Sequence, residues 1–288
     1  MSAYRFCRTD DIGLLVDALN HCWAPHFPDE PPMTPAAFKR SIRDLQVWCS
    51  SCMVAFSGAD PIGVLIGAKR TSGTLVHRIA VHPDHVRQGH GRHLLTSLSS
   101  KLAILGPPRL VAQVPETHAA ARALFAACGY VEEAVLTDYV LASDAGITGP
   151  EPAPVNSTGR LVIPVTIDDL VANRLLDIRQ PQVCWERSVE TLTARMAEVG
   201  GVAIASDERI EAYILYVKET GELLAVQALV EGSETHLSRL LSQLRSRGLR
   251  VLRFPKVHPS EVSPETLQAL GFRDSGRHRL YATTAQSG

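Results

Sequence analysis

The sequence holds no apolar run approaching the ~18 residues that a membrane-spanning helix requires, so no such helix is expected. Its opening, Met1-Ser2-Ala3-Tyr4-Arg5, has neither an apolar export core nor a small-residue cleavage site, and a cytoplasmic location is expected. An excess of either charge is missing too. A formal net charge of -1 and a pI near 6.8 leave no broad basic field, which argues against nucleic acid as a partner. Cysteine is sparse: Cys7, Cys22, Cys49, Cys52, Cys128 and Cys184 are scattered without an export signal, the usage of reduced thiols rather than of a disulfide framework. Cys49 and Cys52 form a lone CxxC. Zinc takes about four ligands and no second pair follows at metal-site spacing, so buried thiols beside a strand are expected, and no metal.

What is present is globular: 45% hydrophobic and 20% charged residues over 288 positions, long enough for two domains each with its own core. Between Leu141 and Arg160 the chain turns to glycine, proline, serine and asparagine, which reads as a linker. The expected division is a first domain at 1–143, a linker at 144–159 and a second domain at 160–288. Patterning predicts a strand at Tyr4–Cys7, a helix capped near Thr9–Asp11, and a helix opened by Thr34-Pro35. Strands follow at Met53–Phe56, Ile62–Lys69 and Leu75–Val81, joined by hairpin turns at 58–61 and 72–73. Then come a helix from Gly91, a strand at Arg109–Val114, a helix from His118 ending at Gly129, and a closing strand over Tyr130–Leu141. The second half repeats this plan, and Leu267, Leu270, Gly271 and Phe272 echo Leu124, Phe125, Cys128, Gly129 and Tyr130.

The informative stretch runs from Val76 to Leu95, an apolar strand passing through His82-Pro83 and a glycine-bearing loop into an amphipathic helix. Free N–H groups at a helix start bind anions, Gly89 and Gly91 permit close main-chain approach to a diphosphate, and Arg87 and Arg92 add positive charge. A lone Gly-x-Gly turn is also an ordinary strand-to-helix connection. The loop follows a fourth strand rather than a first and lacks a Gly-Lys-Ser/Thr ending, which sets aside a dinucleotide or nucleoside triphosphate site.

Taken whole, Val76–Leu95 resembles the acetyl-CoA motif of the GNAT N-acetyltransferases, and the likeness extends from Arg5 to about Leu141, including the helix-Gly-aromatic ending at Leu124, Phe125, Gly129 and Tyr130. The resemblance implies an α/β (α+β) chain of two tandem GNAT-like domains, each a mixed, mostly antiparallel twisted sheet flanked by helices. It implies an acetyl-CoA-dependent N-acetyltransferase with acetyl-CoA as cosubstrate and an amine-bearing small molecule or peptide as acceptor. Main-chain atoms of Ile79, Ala80 and Val81 would meet the pantetheine arm and thioester. Val86, Arg87, Gln88, Gly89, His90, Gly91 and Arg92 would hold the pyrophosphate, with Val86 standing where the family usually has Arg or Gln. His118 takes the place of a cofactor-contacting asparagine, and Phe125 that of the tyrosine that reprotonates the leaving thiolate. The family's basic glutamates correspond to Leu75 and Gln113.

An ammonium must lose a proton before it attacks, and its ordinary pKa of ~10.4 calls for a base. His77, of the same strand parity as Ile79 and Val81, is the expected base, with Glu116 acting through water behind it. His82, His85, His90 and His93 straddle loop and helix without supporting carboxylates and read as solvent-exposed side chains. Trp23, His26, Phe27, Asp29 and Glu30 form either an acceptor pocket or a proline-rich surface loop. The missing acid–base residues leave a second reading open, a non-catalytic acyl-CoA-binding or regulatory module. In the second half the equivalent loop, Glu231 to Leu237, lacks the paired glycines and arginines, and Glu231 and Glu234 would repel a diphosphate. That half is expected to bind no CoA, and either to complete the first domain's groove or to form a homodimer interface.

Overall fold

The computed structural model describes residues 2–142, 160–176, 184–230, 232 and 234–285. The expected linker at 144–159 and Glu231 of the second-half loop lie outside them. Two compact units emerge, Met1–Ala134 with Arg279–Gly288, and Val135–His278. The first therefore ends short of position 143 and takes in the chain's last residues.

The first unit runs β1 (Ser2–Phe6), α1 (Ile12–Cys22), α2 (Pro35–Leu45), β2 (Met53–Ser57), β3 (Asp60–Arg70), β4 (Gly73–Val81), α3 (His90–Leu105), β5 (Arg109–Pro115), α4 (Ala119–Ala127) and the start of β6 (Val131–Leu141). Strands β1 to β4 pair antiparallel in chain order and β5 joins β4 in parallel. The local causes are those the sequence advertises. Thr34 caps α2 by accepting from the N–H of Ala37 at 3.1 Å, with Pro35 in the first turn, and Gly58 turns the β2–β3 hairpin at φ 63°. Leu94, Leu95, Leu98 and Leu102 form one buried face of α3 and pack on Met53, Ala55, Leu65 and Val76 of the sheet. Burying a leucine contributes about 1.5–3 kcal/mol, so this face fixes where α3 begins.

The strand that follows β5 in the chain, β6, does not lie beside it. The structure instead places there the end of the last strand, from Arg279 on, whose Tyr281 stacks on Phe125 at 6.1 Å. Nothing near Phe125 in the sequence signals a partner from the far end of the chain.

The second unit contains the rest of β6, β7 (Leu161–Pro164), α5 (Ile167–Ala172), α6 (Val189–Ala194), β8 (Val199–Ala205), β9 (Ile210–Val217), β10 (Leu223–Ala228), α7 (Glu234–Ser246), β11 (Leu252–Val257), α8 (Pro264–Ala269) and most of β12 (Arg273–Thr284). Strands β10-β9-β8-β7 form an antiparallel sheet, and β11 pairs with β6. The internal echo is real at atomic detail. Gly129 and Gly271 close α4 and α8 at φ 79° and 87°, and the N–H groups of Tyr130 and Phe272 return to the carbonyls of Phe125 and Leu267 at 3.1 and 2.9 Å.

Among the described residues no helix is long and apolar enough to cross a membrane, and no group of three or more His, Cys, Asp or Glu side chains could hold a metal ion. All six cysteines are free thiols and Cys128 alone is not buried. Burial pushes the thiols of Cys7 up to about 12 and of Cys22 and Cys184 up to about 11, which starves them of the nucleophilic thiolate at neutral pH. Alkylation of the native protein with iodoacetamide at pH 7.5, read by mass spectrometry, is expected to modify Cys128 and to reach the other five only after denaturation.

Candidate functional site

The site begins with a parting of strands. β4 and β5 pair only at Thr74–Leu110 and Leu75–Val111, and beyond Leu75 no further pair joins them among the described residues. β3 follows β4 to its end, where the N–H of His82 donates to the carbonyl of Ile62 at 2.9 Å. Bonded and non-bonded pairs alternate in an antiparallel ladder, so the neighbouring pairs Gly63–Val81 and Leu65–Ile79 are the non-bonded ones. The N–H and C=O groups of Ile79 and Val81 therefore face the open slot on the β5 side. Exposed donors on one edge of a widening slot suit an extended amide chain and a carbonyl oxygen.

At the end of that slot the chain turns through Pro83–His85 into a loop held by two residues in left-handed conformation, Arg87 at φ 61° and Gly89 at φ 88°. Gly89 is the N-cap of α3 and supplies no side-chain acceptor, so the first-turn N–H groups of this 16-residue helix carry no cap. No acidic residue lies in that turn, and a Cβ added at Gly89 would meet open space. Uncapped donors, a helix dipole and the exposed Arg87 make an anion cradle that fits a diphosphate. A Cβ at Gly91 would come within 3.0 Å of the end of the Leu124 side chain, so its smallness also eases the packing of α3 on α4. His90 is likewise not a surface histidine. It is buried, its Nδ1 lies 2.6 Å from the Tyr4 hydroxyl, and burial lowers its pKa with help from His85 and His93, leaving its backbone as its offering to an anion.

The side chains expected to do chemistry are dispersed around the slot. Ile66 pairs with Arg78 and Gly67 with Val76, so His77 is an extra residue, a β-bulge. Val76 and Ile79 consequently pack in the same cluster under α3, and the strand parity that grouped His77 with Ile79 and Val81 does not hold. Nothing in the sequence marks that bulge. Glu116 is committed to an ion pair with Arg279, whose other nitrogen holds Glu132 at 2.7 Å. Phe125 is buried against Tyr130 at 5.0 Å, and burial pushes the Tyr130 phenol up, its hydroxyl having no hydrogen-bond partner among the described residues. His118 caps α4 geometrically and its ring lies 4.9 Å from Phe27.

That last contact comes from the segment after α1. Trp23 stacks on Phe27 at 4.2 Å, and its indole N–H donates to Glu30 at 3.1 Å. Arg78 of β4 reaches the same Glu30 oxygen at 3.1 Å and lies 4.6 Å over the Trp23 ring. The segment is thus fastened to the edge of the slot rather than loose on the surface.

In the second unit the corresponding strands β10 and β11 also barely join, through one parallel bridge at Glu222–Arg253. There the chain fills its own gap. Arg187 donates to the carbonyls of Leu224 on β10 at 3.4 Å and Lys256 on β11 at 3.1 Å, and forks onto both carboxylate oxygens of Glu261, one at 2.7 Å. Its guanidinium also stacks on Phe254 at 4.6 Å. Side-chain exposures of 0% and 3% mark Arg187 and Glu261 as a buried pair, and Glu234 opens α7 with negative charge. The sequence gives no sign of this plug, because Arg187 comes from a 3-10 turn distant in the chain from both strands.

Residues 15–130 match the model of the acetyltransferase (GNAT) family. No curated protein sequence matches the chain. Among solved structures, a tandem GNAT protein from the clavulanic acid biosynthesis pathway shares 18% identity at a TM-score of 0.63, covering 100% of this chain and 99% of that one. A GCN5-related N-acetyltransferase from Sphaerobacter thermophilus shares 15% at 0.69, covering 100% and 96%. A glucosamine N-acetyltransferase region of a fungal multi-domain β-N-acetylglucosaminidase shares 13% at 0.74, covering 98% of this chain and 38% of that one. At these identities the likeness is one of fold, and the fold is the tandem GNAT arrangement of two sheets flanked by helices.

Removing one member of a buried ion pair leaves the other charge uncompensated, at a cost of about 3–5 kcal/mol. Arg187→Ala is expected to lower the unfolding free energy by about that much in urea denaturation, whereas removing the exposed Arg43 should cost less than about 1 kcal/mol.

Proposed function

We propose, from the match of residues 15–130 to the acetyltransferase (GNAT) family model, that the protein moves an acetyl group from acetyl-CoA to a primary amine of a small molecule or peptide. The observation that carries the reading is the pairing of two open main-chain features, the slot edge at Ile79–Val81 and the uncapped start of α3. In this reading the N–H groups from Gln88 to Arg92 take the pyrophosphate, with Val86 and Arg87 shaping the loop. Ile79, Ala80 and Val81 line the pantetheine arm. Val81 presents its N–H to the thioester oxygen, where a fixed donor stabilises the tetrahedral oxyanion. His118 and Phe125 border the slot from α4. The amine attacks the carbonyl carbon directly and the C–S bond then breaks.

For proton removal His77 and Glu116 are the sequence-derived candidates. Glu116 already accepts a charged bond from Arg279, and His77 sits in the bulge. The acid position is filled by the phenyl ring of Phe125, which carries no proton to give. That substitution favours a second reading, a non-catalytic acyl-CoA-binding module. Calorimetric titration with CoA followed by assay of CoA release across a panel of amines separates the two: binding with turnover supports the enzyme, and tight binding with no turnover supports the module.

Gly89→Val forces a β-branched residue into φ 88°, a strain of about 1–3 kcal/mol on the loop. Its CoA affinity is expected to fall about 10-fold or more by calorimetry. Unchanged affinity would contradict the cradle.

A further inference from the structure

The segment fastened across the slot brings one imidazole to the proposed reacting centre. The Nε2 of His26 lies 2.8 Å from the carbonyl oxygen of Val81. A carbonyl only accepts, so Nε2 carries the proton and, in the neutral ring, Nδ1 keeps its lone pair. Val81 is the last residue of β4, and its polar groups face the open slot. His26 thus stands at the residue whose N–H is aimed where a thioester oxygen would lie. We propose that His26 is the catalytic base of the first unit, its tautomer set by Val81 and its Nδ1 receiving a proton from the acceptor's ammonium. The inference rests on the acetyl-transfer reading above and replaces the strand histidine as the group that removes the proton.

The ring is held rather than merely nearby. The His26 N–H donates to the carbonyl of Trp23 at 2.9 Å within a single 3-10 turn. Trp23 is stacked on Phe27 and bonded through Glu30 to Arg78 of β4, while Phe27 meets His118 on the opposite side of the slot. A base pinned on both sides of the gap keeps its geometry when the slot fills. The His26 ring is itself exposed, as an acceptor amine arriving from solvent requires.

The proton balance closes without another reactant. The ammonium R–NH3⁺ gives one proton to Nδ1, and the freed nitrogen forms the C–N bond to the thioester carbon. As the C–S bond breaks, the nitrogen sheds a second proton that leaves with the thiolate as the CoA thiol. The imidazolium then returns its proton to water. The charged and titratable groups carried by the elements around the ring are His77, Arg78 and His82 from β4 and its end, Asp84 and His85 in the turn after it, Asp17 and His21 from α1, the latter stacked on His82 at 4.5 Å, Asp29 and Glu30 in the same segment, and His118 and Arg122 from α4 and its start.

The test uses the full chain, acetyl-CoA, and a panel of spermidine, tyramine and a short peptide with a free N-terminus, with CoA release followed by thiol titration. His26→Gln can still donate to Val81 but cannot take a proton. Both His26→Gln and His26→Ala should bind acetyl-CoA within about 3-fold of the parent yet release CoA about 100-fold more slowly, with the acid limb of the parent's pH profile lost. In the parent, acetyl-CoA should shift the ¹⁵N resonances of the His26 ring, identified by their absence in His26→Gln. Full turnover by His26→Gln overturns the proposal, and so does acetyl-CoA binding that leaves the ring resonances unmoved, whether or not any amine in the panel reacts. A parent that binds no acetyl-CoA fails at the earlier reading, a result distinct from either.

Discussion

The parting of β4 from β5 after Leu75–Val111 is the constraint on which the rest of the first unit depends. A sheet that kept pairing would consume the polar groups of Ile79 and Val81 in its own ladder and leave nothing to meet a ligand. The parting itself must be held open against the tendency of strand edges to find partners. Three features of the structure serve that end. The buried leucine face of α3 fixes one wall, and Phe125 with Tyr281 and Tyr130 fixes α4 beside β5. The Trp23–Glu30 segment, bonded to Arg78 and touching His118, edges the gap.

The second unit shows the same architecture with its strand gap filled by a side chain. Its strands part in the same place, and the orphaned carbonyls of Leu224 and Lys256 are satisfied internally by Arg187, which Glu261 neutralises. Burial of a charge is tolerable only when paired and hydrogen-bonded, and this pair meets both conditions. The sequence expects no diphosphate there, from the acidic Glu234 and the missing glycines. The sequence argument was one of repulsion at the helix start; the structure adds a stronger one, that the gap is occupied.

Legibility followed the range of the interactions. The Thr34 cap of α2, the hairpin turn at Gly58, the glycine endings at Gly129 and Gly271, and the strand-loop-helix passage at Val76–Leu95 are local, and each could be read from neighbouring residues, whereas Asp11 at the start of α1 gives its carboxylate to Arg5 and the Arg8 N–H instead of capping the helix. What escaped was set by distant partners or by a single inserted residue. The bulge at His77 undoes a parity count, Arg279 captures Glu116, Tyr4 draws the His90 ring inward, and His26 finds a carbonyl 55 positions away. Periodicity carries no information about such meetings, because each depends on where the sheet has already brought the chain.

The account is tested most directly by amide NMR of the full chain on titration with CoA. It requires shifts at Ile79 and Val81 and at Gln88–Arg92, where main-chain donors stand open, and none at Leu224 or Lys256, where Arg187 holds the carbonyls. Shifts confined to the second unit, or a ligand that leaves Val81 and Gly89 unmoved, would contradict it.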